Sequence, residues 1–226
     1  MTPSIDDLLA RAAIPTSGPR GFDVPAALRR LAADAGRLAP QPELERAGQA
    51  GQLLSVVSRW VLNRPDAAAH MEQIAGDPDT GPLLSEDQMS VDGALVFACL
   101  LHLTGHPESS QFWWQFAAGA DSRTAAYCLH LHHRRLGEAR ESRHWYTQVT
   151  APVPDGTALD DAFIGGLEAV ARYVRRNGSA AWPPTKRLEG EVDRLAARSA
   201  GSSCVIVRWP DRRLAEQLHR FITRRT

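Results

Sequence analysis

The side chains with most capacity for chemistry in this 226-residue chain are histidines gathered near its middle. His130, His132 and His133 stand together, with His102, His106 and His144 close by. On a helix, His130 and His133 are three residues apart and share a face, as two zinc ligands would. A zinc site needs further ligands at matched spacing, and no Glu or Asp completes an HExxH-type pattern here. Gly105 is placed to end a helix before His106, which separates that imidazole from His102. The histidines therefore read as solvated or hydrogen-bonded imidazoles on a polar helix face, and no metal or other cofactor is expected. Covalent and phosphoryl chemistry find no support either. There is no GxSxG elbow, no GxxxxGK[ST] loop and no GxGxxG after a strand. The carboxylate pairs Asp160-Asp161 and Glu189-Glu191 fall on expected helix surfaces. The chain is expected not to be an enzyme.

Binding chemistry is better represented. Phe112, Trp113, Trp114 and Phe116 cluster, and Trp145-Tyr146 follows. Neighbouring residues on a helix point about 100° apart. One member of each pair is therefore expected in the core, with the other on a flank or in a groove. An exposed aromatic there would anchor a partner. Trp113, Trp114, Trp145, Tyr146, His130, His133 and Arg134 form the candidate protein-contact set. Arg212, Arg213, Arg220, Arg224 and Arg225 decorate the last helix and could grip phosphates. The formal net charge is zero, however, and arginines late in a helix suit its dipole. A solvated face is the preferred reading. Nucleic-acid binding through Arg212, Arg213, Arg220 and Arg224 is the alternative, and a small-ligand or metal site in the histidine–aromatic cluster is a further one.

The elements that would position these side chains repeat. When the chain is shifted by 32 places, Gly105 falls on Gly137, Ala94 on Ala126, Phe97 on Leu129 and Ser110 on Ser142. Trp113 falls on Trp145 and Trp114 on Tyr146. Each half is an apolar segment, a Gly-centred turn and an amphipathic segment with an aromatic pair. The expected helices are 91–104, 107–119, 121–136 and 138–149. One helical hairpin cannot bury its own apolar face, whereas a stack can. Over residues 91–149 the pattern resembles tetratricopeptide and Sel1-like repeats, through Ala94 and Ala126, Gly105 and Gly137, and the aromatic pairs. That resemblance implies protein–protein binding through a helical-repeat groove. Helical-repeat proteins often serve regulation, which extends the expectation to a regulator or adaptor whose partner is a protein, a transcription component included.

Around this centre the chain divides into a helical leader, 1–40, the helical-repeat core, 41–150, and a C-terminal segment, 151–226. The fold class is mainly α, a helical hairpin array or bundle with one short C-terminal strand. The strand is expected at 203–209 (SCVIVRW), between Gly201 and Pro210. A lone strand leaves backbone groups unpaired, so it needs a partner, either the stretch around 148–153 or a strand of a second copy, which would make a homodimer. Apolar residues are 43% and charged ones 23%, as in a soluble globular protein. Lys186 is the only lysine, an arginine bias that points to a bacterial, high-GC genome. Cys99, Cys128 and Cys204 fit no disulfide framework or zinc knuckle. No apolar run reaches membrane-spanning length and no secretory leader is visible, so no membrane partner and a cytoplasmic location are expected.

Overall fold

The computed structural model describes residues 25, 28–30, 42–76, 90–151, 165–169, 172, 182–201, 206–207 and 209–224. The protein is mainly helical. Met1–Gln41 forms one compact unit and Pro42–Thr226 a second. In the first, Pro25 and residues 28–30 are helical, and Arg29 Nε donates to the Pro25 carbonyl. The rest of the expected leader lies outside the described residues. The second unit holds α1 (Pro42–Leu62), α2 (Ala67–Ile74), α3 (Val91–Leu103), α4 (Pro107–Gly119), α5 (Arg123–Leu136), α6 (Ala139–Val149), α7 (Lys186–Gly201) and α8 (Arg212–Thr223).

The hairpins α3–α4 and α5–α6 share their caps, their turn bonds and one inter-helix bond. Ser90 caps α3 by accepting from the Gly93 N–H, and Ser122 caps α5 by accepting from the Ala125 N–H. Such caps satisfy backbone donors that the first helical turn leaves free. The turns contain Gly105 at φ 85° and Gly137 at φ 80°, left-handed conformations that glycine adopts without a Cβ penalty. One residue on, the His106 N–H reaches back to the Leu101 carbonyl and the Glu138 N–H to that of His133. Across the helix pair, Ser110 Oγ donates to the Ala98 carbonyl at 3.0 Å. Its counterpart Ser142 Oγ donates to that of His130 at 3.2 Å. Every one of these pairs is 32 residues apart. The repeat thus extends from side-chain types to caps, turns and inter-helix bonds.

The core forms around α3, whose residues Gly93 through Leu101 are all buried. It packs against α1, α2 and α4, while α1 also lies against α5. Gly93 permits the close approach of α2: a Cβ there would stand 2.4 Å from the His70 carbonyl oxygen. The helices after residue 150 belong to the same unit, α8 packing on α2 and α7. Asp211 accepts from the Leu214 N–H to cap α8, and its other oxygen takes Arg194 at 2.6 Å. Among the described residues, no helix is long and apolar enough to cross a membrane.

Residues 202–205 and 208 of the expected strand region lie outside the described set. Ile206, Val207 and Trp209 are in no strand, and Val207 finds its partners in side chains. Its N–H donates to Ser109 Oγ at 3.0 Å, and its carbonyl accepts from Trp113 Nε1 at 2.9 Å. At Val207 the need that motivated pairing with a second copy is therefore met within the chain. One isolated parallel bridge, Gly76 with Asp211, follows.

Candidate functional site

One face each of α5 and α6, with the start of α1, encloses a cleft of about 580 Å³. That volume lies within the range of small-ligand and side-chain pockets. From α5 come Tyr127, His130, Leu131 and Arg134; from α6, Ala139, Ser142, Arg143 and Tyr146. Both sets have the spacing i, i+3, i+4, i+7, which aligns side chains in a stripe along a helix. Gly137 at the turn, Glu43, Arg46 and Leu53 of α1, and Glu168 complete the lining.

His130 sits at the centre, 8% exposed. Its Nδ1 is 2.9 Å from the Ser142 carbonyl oxygen. A carbonyl only accepts, so Nδ1 carries the proton and Nε2 keeps a lone pair. Burial holds the imidazole below its ordinary pKa; the Ser142 carbonyl opposes that and the Arg134 charge adds to it. The ring stacks on Tyr127 (centroids 6.0 Å apart, planes at 26°) and meets Tyr146 at 5.0 Å. Burial, with Glu168 nearby, raises the Tyr127 phenol far above its usual range, so it stays a neutral hydrogen-bonding group. Tyr146 is 38% exposed and gives the cleft an accessible aromatic surface.

No protein-family profile, curated protein or solved structure matches this chain.

Of the candidate contact set, His130, Arg134 and Tyr146 come together at the cleft. Trp145 is half-buried against the core beside the His144 ring. That pair divides as expected, one member inward and one at a groove. Trp113-Trp114 does not: they are 1% and 0% exposed. The expectation of an exposed member fails there because α4 is covered on two sides. Trp113 packs edge-on against Phe97 and Trp209, while Trp114 lies against His102 and His132 of the neighbouring helices. Neither tryptophan can anchor a partner on the folded surface. His133 is also corrected. It is buried, with Nδ1 2.6 Å from Glu138 Oε2 at the turn, and it does not line the cleft. At about 100° per residue the stripe through Tyr127, His130, Leu131 and Arg134 is centred away from position 133.

His102 and His132 work inside the fold. Burial, the dominant cause for both, lowers His102 and His132 to about 4. Among the described residues no group of three His, Cys, Asp or Glu is arranged to hold a metal. Cys99 and Cys128 are buried free thiols. A hydrogen bond from one to the other, with burial, pushes the Cys128 thiol up. On α8, Arg213 pairs with Glu191 at 3.0 Å and Arg220 with Glu216 at 3.6 Å, both arginines staying solvent-exposed. Arg212 and Arg224 are exposed. Sequence reasoning missed Tyr127, Arg46 and Arg143. Tyr127 had a signal, since it stands one turn before His130 and two before Arg134.

Proposed function

We propose that the chain is a non-catalytic protein-binding protein, a bacterial cytoplasmic regulator or adaptor, built on a tetratricopeptide-like pair of hairpins and docking a partner protein at the α5–α6 cleft. The observation that carries this reading is the cleft itself. It combines an accessible tyrosine, a stacked imidazole of fixed tautomer and three arginines on rigid helices. Aromatic and arginine side chains on a preorganised surface are what dominate protein–protein binding energy. The duplicated caps and turns supply the rigidity, and they match the repeat logic in which one hairpin's flank is a seat for the next element.

The test is site-specific photocrosslinking in the native cell. The full-length chain carries a benzophenone amino acid at Tyr146 or, as control, at the comparably exposed Phe112 on α4. A discrete protein adduct at position 146 and none at 112 is expected. The same adduct at both positions, a nucleic-acid adduct at 146, or no adduct at 146 overturns the proposal.

A further inference from the structure

The repeat provides an internal control for the cleft. The counterparts of Tyr127, His130, Arg134, Arg143 and Tyr146 in the first hairpin are Leu95, Ala98, His102, Gln111 and Trp114. There the equivalent face is filled: Trp114 is fully buried against His132, and the Cys99 thiol meets that of Cys128. On the same scaffold the second hairpin replaces leucine by a phenol, alanine by an imidazole, and two uncharged side chains by guanidiniums. Polar and cationic chemistry is thus concentrated where the first hairpin has a packed interface.

The charges around the cleft are Arg46, Arg134 and Arg143 against Glu43 and Glu168, an excess of one positive charge (three minus two). Among the described residues, none of these three arginines has an ion-pair partner. Some arginines on other faces are ion-paired, as Arg194 and Arg213 with Glu191 and Arg198 with Asp211. A guanidinium left unpaired beside an aromatic ring can take a carboxylate in a two-pronged bond and still face the ring.

Resting on the docking reading above, we propose that the partner segment entering this cleft is an acidic peptide with an aromatic side chain. Its ring seats against Tyr146 beside the His130–Tyr127 stack, and its carboxylates meet Arg46, Arg134 and Arg143. The lone pair on His130 Nε2 accepts an N–H from the segment.

The probe is a fluorescein-labelled pentapeptide of four glutamates around a tryptophan, with blocked ends, followed by anisotropy against the whole chain. A lysine version of the peptide and free indole-3-acetate as competitor form the other arms. Saturable binding of the acidic peptide is expected, weakened at least tenfold by Arg134→Gln and by Tyr146→Ala, and weakened further by salt. Unchanged thermal melts of both variants show that the fold is intact. Equal or tighter binding of the lysine version, or no loss in Arg134→Gln, overturns the inference. Competition by indole-3-acetate at the peptide's own affinity also overturns it, in favour of a small aromatic carboxylate. If no peptide binds while the adduct at position 146 persists, this inference fails and the docking reading stands. Peptide binding without any protein adduct overturns the docking reading instead.

Discussion

Lowering the pH from about 7.5 to 5 should destabilise the fold through two histidines that flank one tryptophan. His102 and His132 lie 5.3 and 6.0 Å from the Trp114 ring, measured between centroids. Each falls from an ordinary 6.5 to about 4, burial being the first cause, and charge on Arg135 disfavours a proton on either. His132 Nδ1 is buried with no hydrogen-bond partner among the described residues, so a proton added there would have no acceptor. The unfolded chain takes up both protons near 6.5, whereas the folded chain refuses them until about 4. The stabilisation is therefore complete above 6.5 and is lost as the pH falls towards 4. At pH 5 each histidine contributes a loss of about 2 kcal/mol, and the pair about 4. That is a large part of the ~5–15 kcal/mol typical of a domain. Urea unfolding followed by tryptophan fluorescence at the two pH values measures it. The double variant His102→Gln/His132→Gln should lose most of this pH dependence. A wild-type stability at pH 5 within about 1 kcal/mol of its neutral value, or an undiminished drop in the double variant, refutes the reasoning.

Further outcomes follow from single positions. Gly105→Ala and Gly137→Ala meet open space but keep a left-handed φ, so each should cost about 1 kcal/mol, and nearly the same. Denaturation midpoints that differ by more than about that amount would contradict the equivalence of the two turns. Gly93→Ala places a methyl 2.4 Å from a backbone oxygen and should cost more than about 3 kcal/mol or prevent folding. Gly48→Ala, with nothing within 4 Å, should stabilise α1 by up to about 1 kcal/mol in the same assay. Trp113→Phe removes the donor to the Val207 carbonyl and leaves a buried acceptor unpaired, a loss of about 2–3 kcal/mol. Amide exchange at Val207 should quicken more than at Leu129; equal protection at both would refute the latch.

What was legible in the sequence is local. Ser90 and Ser122 cap helices, and Gly105 and Gly137 close turns, through bonds spanning a few residues, so residue types at matched spacing reveal them. Contacts that join distant segments were not legible. The burial of both Trp113 and Trp114 depends on α5 and on a segment more than ninety residues downstream of Trp113, which helical periodicity cannot report. Val207 was read as part of a strand because its neighbours are β-branched. Its hydrogen bonds go to Ser109 and Trp113, and no local pattern announces a side chain as the partner of a backbone group. At the cleft, His130, Arg134 and Tyr146 were visible as unusual residues. Arg46 could not be joined to them before α1 was seen against α5.

The latch at Val207 gives the stack of hairpins a direction. The first hairpin is held at α4 by Val207 of the later chain, locked there by an indole and a serine hydroxyl. The second hairpin presents its cleft at the opposite end of the repeat order. Shortening the protein from its C-terminus would first strip α8 from α2 and α7, and Trp113 and Ser109 would be bared only once Val207 was lost. A fragment of residues 90–151 would be no miniature of the whole: it would lose the Val207 latch together with the packing of α1 and α2.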